Sequence, residues 1–230
     1  MDDICVSQEF MNCKSLISSE FPLLSLQDSG DKALRLMNEY RVFHLPLIER
    51  DNYLALISED DILDWNTPEA PLSIAEFLTF RPAVFEGSHP YEAVRIAKEF
   101  NLSVLPVIDA QHHFAGVITI EGLFNFLTDN NAIKSNGSIL IFEMEQRNYS
   151  LSEIARICET NSINILSLAL KNIDEQGMIW VTIKVNSTDI QALVSTFERF
   201  NYTIIEMYST DFTKEDVQQN YDMLMHYINL

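Results

Sequence analysis

Hydrophobic and polar positions follow one pattern twice in the first half of the chain. Residues 22–50 align with residues 82–110 at a fixed offset, and the match resumes after one inserted residue between residues 53–62 and 114–123. Leucine and proline recur together in both copies, at Leu45-Pro46 and at Leu105-Pro106. Because apolar positions and prolines keep the same register, we interpret the two segments as an internal repeat.

Each copy predicts the element order β-α-β-β-α. The first helix of the second copy should begin after Ser88 or His89, since Pro90 fits a first helical turn. The closing helix should begin at Ser58 or at Thr119, because serine and threonine are favoured N-cap residues. The predicted strands are short apolar runs: Leu23–Leu26, Leu45–Ile48, Leu54–Ile57, Ala83–Phe85, Leu105–Ile108 and Ala115–Ile118.

The second half predicts a different order, β-α-β-β-α-β, which is the ferredoxin-like arrangement. A polar linker over residues 130–137 precedes it, and the motif from Ser150 to Glu153 has the form of a capping box. A second helix should start at Thr188 or Asp189 and run to Phe200. The predicted strands are Ser138–Met144, Ile163–Leu170, Met178–Val185 and Tyr202–Met207.

These patterns give an α/β (α+β) chain with boundaries that can be stated. The repeats span about residues 11–66 and 71–129 within a unit of residues 1–130, and the ferredoxin-like unit spans residues 138–208. Residues 209–230 are assigned to a C-terminal amphipathic helix with one apolar face. That helix would cover the sheet of its own chain or a partner subunit.

Composition and charge restrict the classes of partner that the protein can bind. The 230 residues include 15 Lys+Arg and 34 Asp+Glu, for a formal net charge of −19. A surface of that sign repels nucleic acid and anionic membranes, although one pocket could still hold a small anion. The acidic N-terminus and the lack of a long apolar segment predict a cytoplasmic protein with no membrane span. Three cysteines without C-x-x-C spacing are expected to be free thiols.

Each repeat resembles a CBS domain, on the Leu-Pro strand followed by Ser58-Glu59-Asp60-Asp61-Ile62-Leu63. The resemblance implies a tandem CBS pair that binds AMP, ADP, ATP or S-adenosylmethionine between the repeats. The hydroxyl would contact phosphate or ribose, the carboxylate would bind the ribose hydroxyls, and residues beside the Leu-Pro element would enclose the adenine. The implied site residues are Ser58, Asp61, His44, Leu45, Pro46 and Leu24 in the first copy, and Thr119, Val104, Pro106 and Val84 in the second.

The two copies fit this pattern unequally. Gly122 stands where the second copy should hold the ribose carboxylate, and Ala55 replaces a usual glycine that Gly116 keeps. The first site is therefore the better prediction, and the second site is expected to be empty or altered. Carboxylates crowd the helix start at Asp61, which also suits a well-capped surface helix that binds nothing.

Charge restricts the ligand of the first site. Its helix carries the carboxylates Glu59, Asp60, Asp61 and Asp64 without a basic neighbour in sequence. We expect weak binding of a triphosphate unless Mg²⁺ bridges, or a preference for less charged adenosyl compounds. A basic residue from elsewhere in the pair would reverse this expectation, and the residues that could do so are Arg41, Arg81 and Arg95.

Residues 138–208 resemble an ACT domain, a regulatory module that often binds amino acids at subunit interfaces. Members usually have glycine in the turn before the first helix, where this chain has Tyr149. A tyrosine would fill the space that a ligand needs, so an oligomerisation or scaffold role is favoured over amino-acid binding. A CBS pair followed by an ACT-like module resembles AcuB-type acetoin-utilisation proteins.

The chain shows no catalytic signature. It lacks the nucleophile-elbow, phosphate-loop, zincin and dinucleotide-binding motifs. The pair His112-His113 is interpreted as polar surface rather than a metal site, and the aromatic residues as core. The sequence therefore predicts a non-enzymatic regulatory sensor, with no covalent cofactor, that forms a homodimer. The alternative is a dimerisation or adaptor module that regulates a separate enzyme and whose ligand sites have decayed. A third hypothesis is a subunit that regulates a separate enzyme.

Overall fold

A computed structural model describes residues 11–18, 20–173 and 177–209 of the chain. Its contacts divide the chain into two compact units, with the first ending at Leu127 and the second beginning at Thr128. The predicted C-terminal helix, apart from Ser209, and Cys5 lie outside the described residues. In the part that is described, no helix is both long and apolar enough to cross a bilayer.

The first unit contains both repeats, and the second repeat has the predicted order β-α-β-β-α, whereas the first repeat has a single bridge in place of its first strand. The helices are α1 Gly30–Tyr40, α2 Glu59–Leu63, α3 Pro90–Glu99 and α4 Ile120–Asn130, the last continuing past Leu127. The strands are β1 His44–Glu49, β2 Asn52–Ser58, β3 Val84–Phe85, β4 Val104–Ile108 and β5 Phe114–Thr119. The mixed α/β fold class is confirmed.

Strand pairing repeats with one difference between the copies. Strand β1 pairs antiparallel with β2, and β4 pairs antiparallel with β5. In the second repeat β3 adds a parallel partner to β4. In the first repeat the predicted strand Leu23–Leu26 is wrong in extent, because only Leu24 forms a bridge, parallel to Leu47.

The predicted helix starts in both repeats are confirmed by their caps. Ser58 Oγ accepts from the Asp61 N–H at 3.1 Å, and Thr119 Oγ1 accepts from the Gly122 N–H at 3.0 Å. His89 is the cap of α3, because its Nδ1 accepts from the Tyr91 N–H at 3.1 Å. Each cap satisfies a backbone donor that the first helical turn leaves without a partner.

Each repeat has its own apolar core beneath these elements. The Leu-Pro strands supply its centre, since Leu45 and Leu105 are both fully buried. Cys13 lies in the core of the second repeat and Cys158 in that of the second unit, and both are free thiols, as predicted. Burial raises the pKa of each thiol to about 11, so both stay protonated at neutral pH.

The second unit has the predicted β-α-β-β-α-β order. Its elements are β6 Ser138–Glu145, α5 Leu151–Thr160, β7 Ile165–Asn172, β8 Met178–Val185, α6 Gln191–Arg199 and β9 Thr203–Ser209. The sheet is antiparallel with the order β7-β8-β6-β9, which is the ferredoxin-like arrangement. Strand β7 begins two residues later than predicted, at Ile165.

Two local predictions in this unit need correction. Helix α6 begins at Gln191 rather than after Thr188 or Asp189, and its N-cap is Ile190, which has no capping side chain. The capping box at α5 has one of its two hydrogen bonds, in which Ser150 Oγ accepts from the Glu153 N–H at 3.3 Å. The Glu153 carboxylate instead accepts from the Tyr202 hydroxyl at 3.0 Å.

Candidate ligand-binding clefts

A cleft of about 570 Å³ opens in the first unit where β2 passes into α2. We call it cleft one. Three of the predicted site residues line it: Ser58, Asp61 and His44. The other lining residues come from the same helix start and from both repeats: Phe43, Glu59, Asp60, Phe80, Phe100 and Asn101. The volume suits a ligand of nucleoside size.

Ser58 and Asp61 form a reciprocal capping box on the wall of cleft one. Asp61 Oδ2 accepts from the Ser58 N–H at 2.9 Å and from the Ser58 hydroxyl at 2.7 Å. The Asp61 N–H donates back to Ser58 Oγ. These bonds fix the direction of the carboxylate while using one of its two oxygens, which leaves Oδ1 as the acceptor for a hydroxyl pair.

His44 joins the two repeats at cleft one. Its Nδ1 accepts from the Ser103 N–H at 3.2 Å and lies 3.1 Å from Ser103 Oγ, which also accepts from the Phe43 N–H at 2.9 Å. Burial lowers the pKa of His44, and the carboxylates of Asp61 and Asp60 oppose that effect. A neutral imidazole that accepts at Nδ1 carries its proton on Nε2, so His44 is a hydrogen-bond donor at that atom.

This lowered pKa predicts a pH-dependent loss of stability. Between the folded pKa and the unfolded value of 6.5, the unfolded chain binds more protons than the folded chain. The contribution of His44 therefore falls as pH drops through about 6.5. Asparagine at this position keeps an acceptor near Nδ1 and does not titrate. Urea unfolding from about pH 8 to about pH 5.5 should show wild type losing stability relative to His44→Asn. A constant difference between the two proteins would contradict the prediction.

Cleft one is lined by three phenylalanine side chains that the sequence pattern had assigned to the core. Phe43 is 62% exposed, Phe100 is 46% exposed and Phe80 is 37% exposed, so that assignment is wrong for them. The rings of Phe80 and Phe100 meet edge to face at 5.5 Å between centroids. Apolar faces of this kind suit a planar heterocycle. Phe43 directly precedes His44, and this adjacency is the one signal that the sequence held.

None of the described residues that line cleft one is lysine or arginine. Of the basic residues that could have supplied charge, Arg95 is held by Glu92 and Glu99 on the exposed face of α3. Burial raises the pKa of the Tyr53 hydroxyl, and the positive charge of Arg81 partly opposes that rise, so Arg81 interacts with Tyr53. Arg41 lines a different cleft. The negative charge of Glu59, Asp60 and Asp61 is therefore not matched within the cleft.

A second cleft of about 640 Å³, cleft two, lies at the matching position of the other repeat. It is lined by Thr119 at the start of α4, and it also holds Arg41, Ser103 and Glu121. Gly122 does not line this cleft, and its backbone N–H donates to Thr119 Oγ1. Cleft two thus has a hydroxyl and a guanidinium but no carboxylate at the position that Asp61 occupies in cleft one.

The remaining predicted site residues lie inside the repeats rather than on a cleft wall. They are fully or almost fully buried: Leu24, Leu45, Pro46, Val84, Val104 and Pro106. The structure brings Ser58, Asp61 and His44 together and places Thr119 in the other cleft. Within the described residues, no group of three His, Cys, Asp or Glu side chains could hold a metal ion.

The second unit has a smaller cleft of about 260 Å³ at the end of β6. Glu143, Glu153 and Tyr202 line it. Tyr149 is half-buried and packs against the core of this unit. Burial and the Glu153 carboxylate raise the pKa of Tyr202, which keeps its hydroxyl a donor.

The CBS domain family matches residues 13–66. This match covers the first repeat and includes His44, Ser58 and Asp61. The CBS resemblance is confirmed for this repeat. The second repeat shows the same order of helices and paired strands, with a hydroxyl cap at the matching helix start.

Two curated relatives are similar to this chain over part of their length. The glycine betaine/carnitine/choline transport ATP-binding protein OpuCA of Bacillus subtilis is 27% identical over 107 residues, which are 46% of this chain and 28% of the relative. Inosine-5'-monophosphate dehydrogenase of Korarchaeum cryptofilum is 21% identical over 189 residues, which are 77% of this chain and 39% of the relative. The chain spans at most 39% of the length of either relative.

Among solved structures, the CBS-pair protein CBSX2 of Arabidopsis thaliana, in complex with AMP, is 19% identical to this chain. The superposition has a TM-score of 0.45 and covers 52% of this chain and 98% of that chain. A likeness of this size carries no function over to the present protein.

Proposed function

We propose that this protein is a non-enzymatic regulatory sensor that binds an adenosyl compound in cleft one. The observation that carries the proposal is a carboxylate, fixed by its capping box, beside an aromatic pair in a cleft of nucleoside size. Ribose presents two neighbouring hydroxyls, and a carboxylate oxygen accepts from such a pair. The exposed faces of Phe80 and Phe100 supply the apolar surface that adenine needs.

Binding would be communicated through the contact between the repeats. His44 lines cleft one, and its Nδ1 accepts from the backbone of Ser103, which lines cleft two. A ligand that accepts a hydrogen bond from His44 would change the placement of one repeat relative to the other, provided that it binds the two arrangements with different affinity. We propose that the ACT-like unit, in an AcuB-type homodimer, passes this change to a separate enzyme.

The alternative is a dimerisation or adaptor module without a ligand. One observation favours it: Tyr149 packs against the core at the turn before α5, where the ACT resemblance would place a ligand. In that case the protein would regulate a partner enzyme by binding it constitutively. Ligand binding to the intact chain separates the two functions.

Substitution of Asp61 tests the site. We expect Asp61→Ala to weaken adenosyl binding about 10- to 100-fold, because hydrogen bonds to a charged group contribute about 1.5–3 kcal/mol. Isothermal titration of the full chain with adenosine, AMP, ADP, ATP with and without Mg²⁺, and S-adenosylmethionine gives the affinities. Among these compounds, the one that binds wild type most tightly is the probe for the variant.

Asp61→Asn is the matched control, because an amide oxygen can still accept from Ser58 while the charge is removed. Asp61→Ala should also lower the free energy of unfolding by about 1 kcal/mol through the lost cap, whereas Asn should retain most of it. Binding that Asp61→Ala leaves unchanged would place the ligand elsewhere. If no adenosyl compound binds wild type, the sensor proposal fails and the adaptor function is favoured.

A further inference from the structure

The two clefts of the first unit differ in charge, although the repeats that form them share a fold. Cleft one has three carboxylates, and its described lining holds no lysine or arginine. Cleft two holds Arg41 together with two carboxylates, Glu20 and Glu121. Because like charges disfavour each other strongly where a ligand displaces water, this difference should decide which ligands each cleft accepts.

Two backbone donors at cleft one are also already used. The Glu59 N–H donates to the Phe43 carbonyl at 2.9 Å, and the Asp61 N–H donates to Ser58 Oγ at 3.1 Å. Helix α2 has only five residues, so it offers little dipole. A phosphate in this cleft would meet no lysine or arginine of the described lining, and the backbone N–H groups of Glu59 and Asp61 would not be free to bind it.

His44 adds a donor without adding charge. Its Nδ1 is occupied by the Ser103 N–H, so Nε2–H is the hydrogen that it can offer to a ligand. The carboxylates facing this ring from α2 are those of Asp60 and Asp61, while burial keeps its pKa low. At neutral pH the imidazole therefore offers a neutral hydrogen bond and does not offset the negative charge of the cleft.

We infer that cleft one selects adenosyl compounds without phosphate, whose tail is neutral or positively charged, and rejects adenosine phosphates. This inference rests on the proposed function, since it names which adenosyl compounds that cleft accepts. Glu59 and Asp60 are the residues that determine the specificity. Asp61 has a separate role, because its carboxylate is the proposed ribose acceptor.

The test measures adenosine, S-adenosylmethionine and AMP on the intact chain by isothermal titration. Cleft one of wild type should bind adenosine and S-adenosylmethionine at least about tenfold more tightly than AMP. In the double variant Glu59→Gln, Asp60→Asn, AMP should gain about tenfold while adenosine stays unchanged. Added salt should reduce the discrimination in wild type, because it screens exposed charges.

Asp64→Asn is the matched control, since it removes one carboxylate from the same segment at a position that does not line the cleft. It should leave the ratio of adenosine to AMP affinity unchanged. The inference is overturned if AMP binds in cleft one of wild type as tightly as adenosine does, or if the double variant leaves AMP binding in that cleft unchanged. If neither adenosine nor any other adenosyl compound binds, the proposed function itself fails.

To assign binding to a cleft, the same titrations are repeated on Arg41→Gln and on Asp61→Ala. Loss of AMP binding in Arg41→Gln alone would place AMP in cleft two and agree with the inference. Loss of AMP binding in Asp61→Ala alone would place AMP in cleft one, and the inference is contradicted if that binding is as tight as the binding of adenosine.

Discussion

Phe142→Ala should destabilise the second unit by about 3–5 kcal/mol, which is the usual cost of removing a fully buried aromatic ring. Phe142 lies on β6, is 0% exposed, and has its ring centroid 4.6 Å from that of Phe197 and 5.6 Å from that of Tyr202. Alanine would leave a cavity between the sheet and α6 and remove both ring contacts. Tyr202 would lose the packing that positions its hydroxyl on Glu153.

The chain contains two tryptophans, and their placement makes this measurement specific. Trp180 lies on β8 of the second unit and Trp65 in the first, so a Trp65→Phe background leaves a probe of the second unit alone. Urea unfolding followed by the fluorescence of Trp180 gives the stability change. Leu151→Ala, at a side chain of the second unit that is 52% exposed, should change stability by less than about 0.5 kcal/mol. Equal losses in both variants would refute the prediction.

The sequence predicted the repeats because their apolar positions recur at a constant spacing. Periodicity reports which side of an element is buried, so β1, β2, β4 and β5 were found close to their observed bounds. The segment at Leu24 was wrongly predicted as a strand, because the apolar residues around a single bridge to Leu47 resemble those of a short strand. The start of α6 was misplaced because a serine, threonine or aspartate before a helix predicts an N-cap. The observed N-cap is Ile190, whose side chain cannot accept a hydrogen bond.

The candidate site was predicted only in part, because some of its residues lie far apart along the chain. Ser58 and Asp61 lie three residues apart, so their capping box is visible as a local motif. The contact from His44 to Ser103 joins residues 59 positions apart, and no local pattern encodes it. Phe80 and Phe100 look like core residues by composition. They are exposed because four separate segments of the chain meet to form cleft one.

Gly116→Ala should destabilise the first unit through two effects, each of about 1–3 kcal/mol. Gly116 on β5 has a φ of +150°, a conformation that residues with a Cβ rarely adopt. A Cβ at this position would lie 2.3 Å from Ile17 Cγ2, well inside van der Waals contact. Ile17 cannot move freely, because it packs against the core of the second repeat and the next N–H, that of Ser18, donates to the Val117 carbonyl.

A double-mutant cycle separates the two effects, with urea unfolding of each protein as the measurement. Ile17→Ala in the Gly116→Ala background removes the clash and leaves the backbone cost, so the coupling energy reports the contact. Gly87→Ala is the control, because no atom lies within 4 Å of a Cβ there, and it should change stability little. If Gly116→Ala behaves like Gly87→Ala, the prediction is wrong. A large coupling would explain why the equivalent position of the first repeat tolerates Ala55. The difference would then come from Ile17, which packs beside β5, rather than from the ligand site of the first repeat.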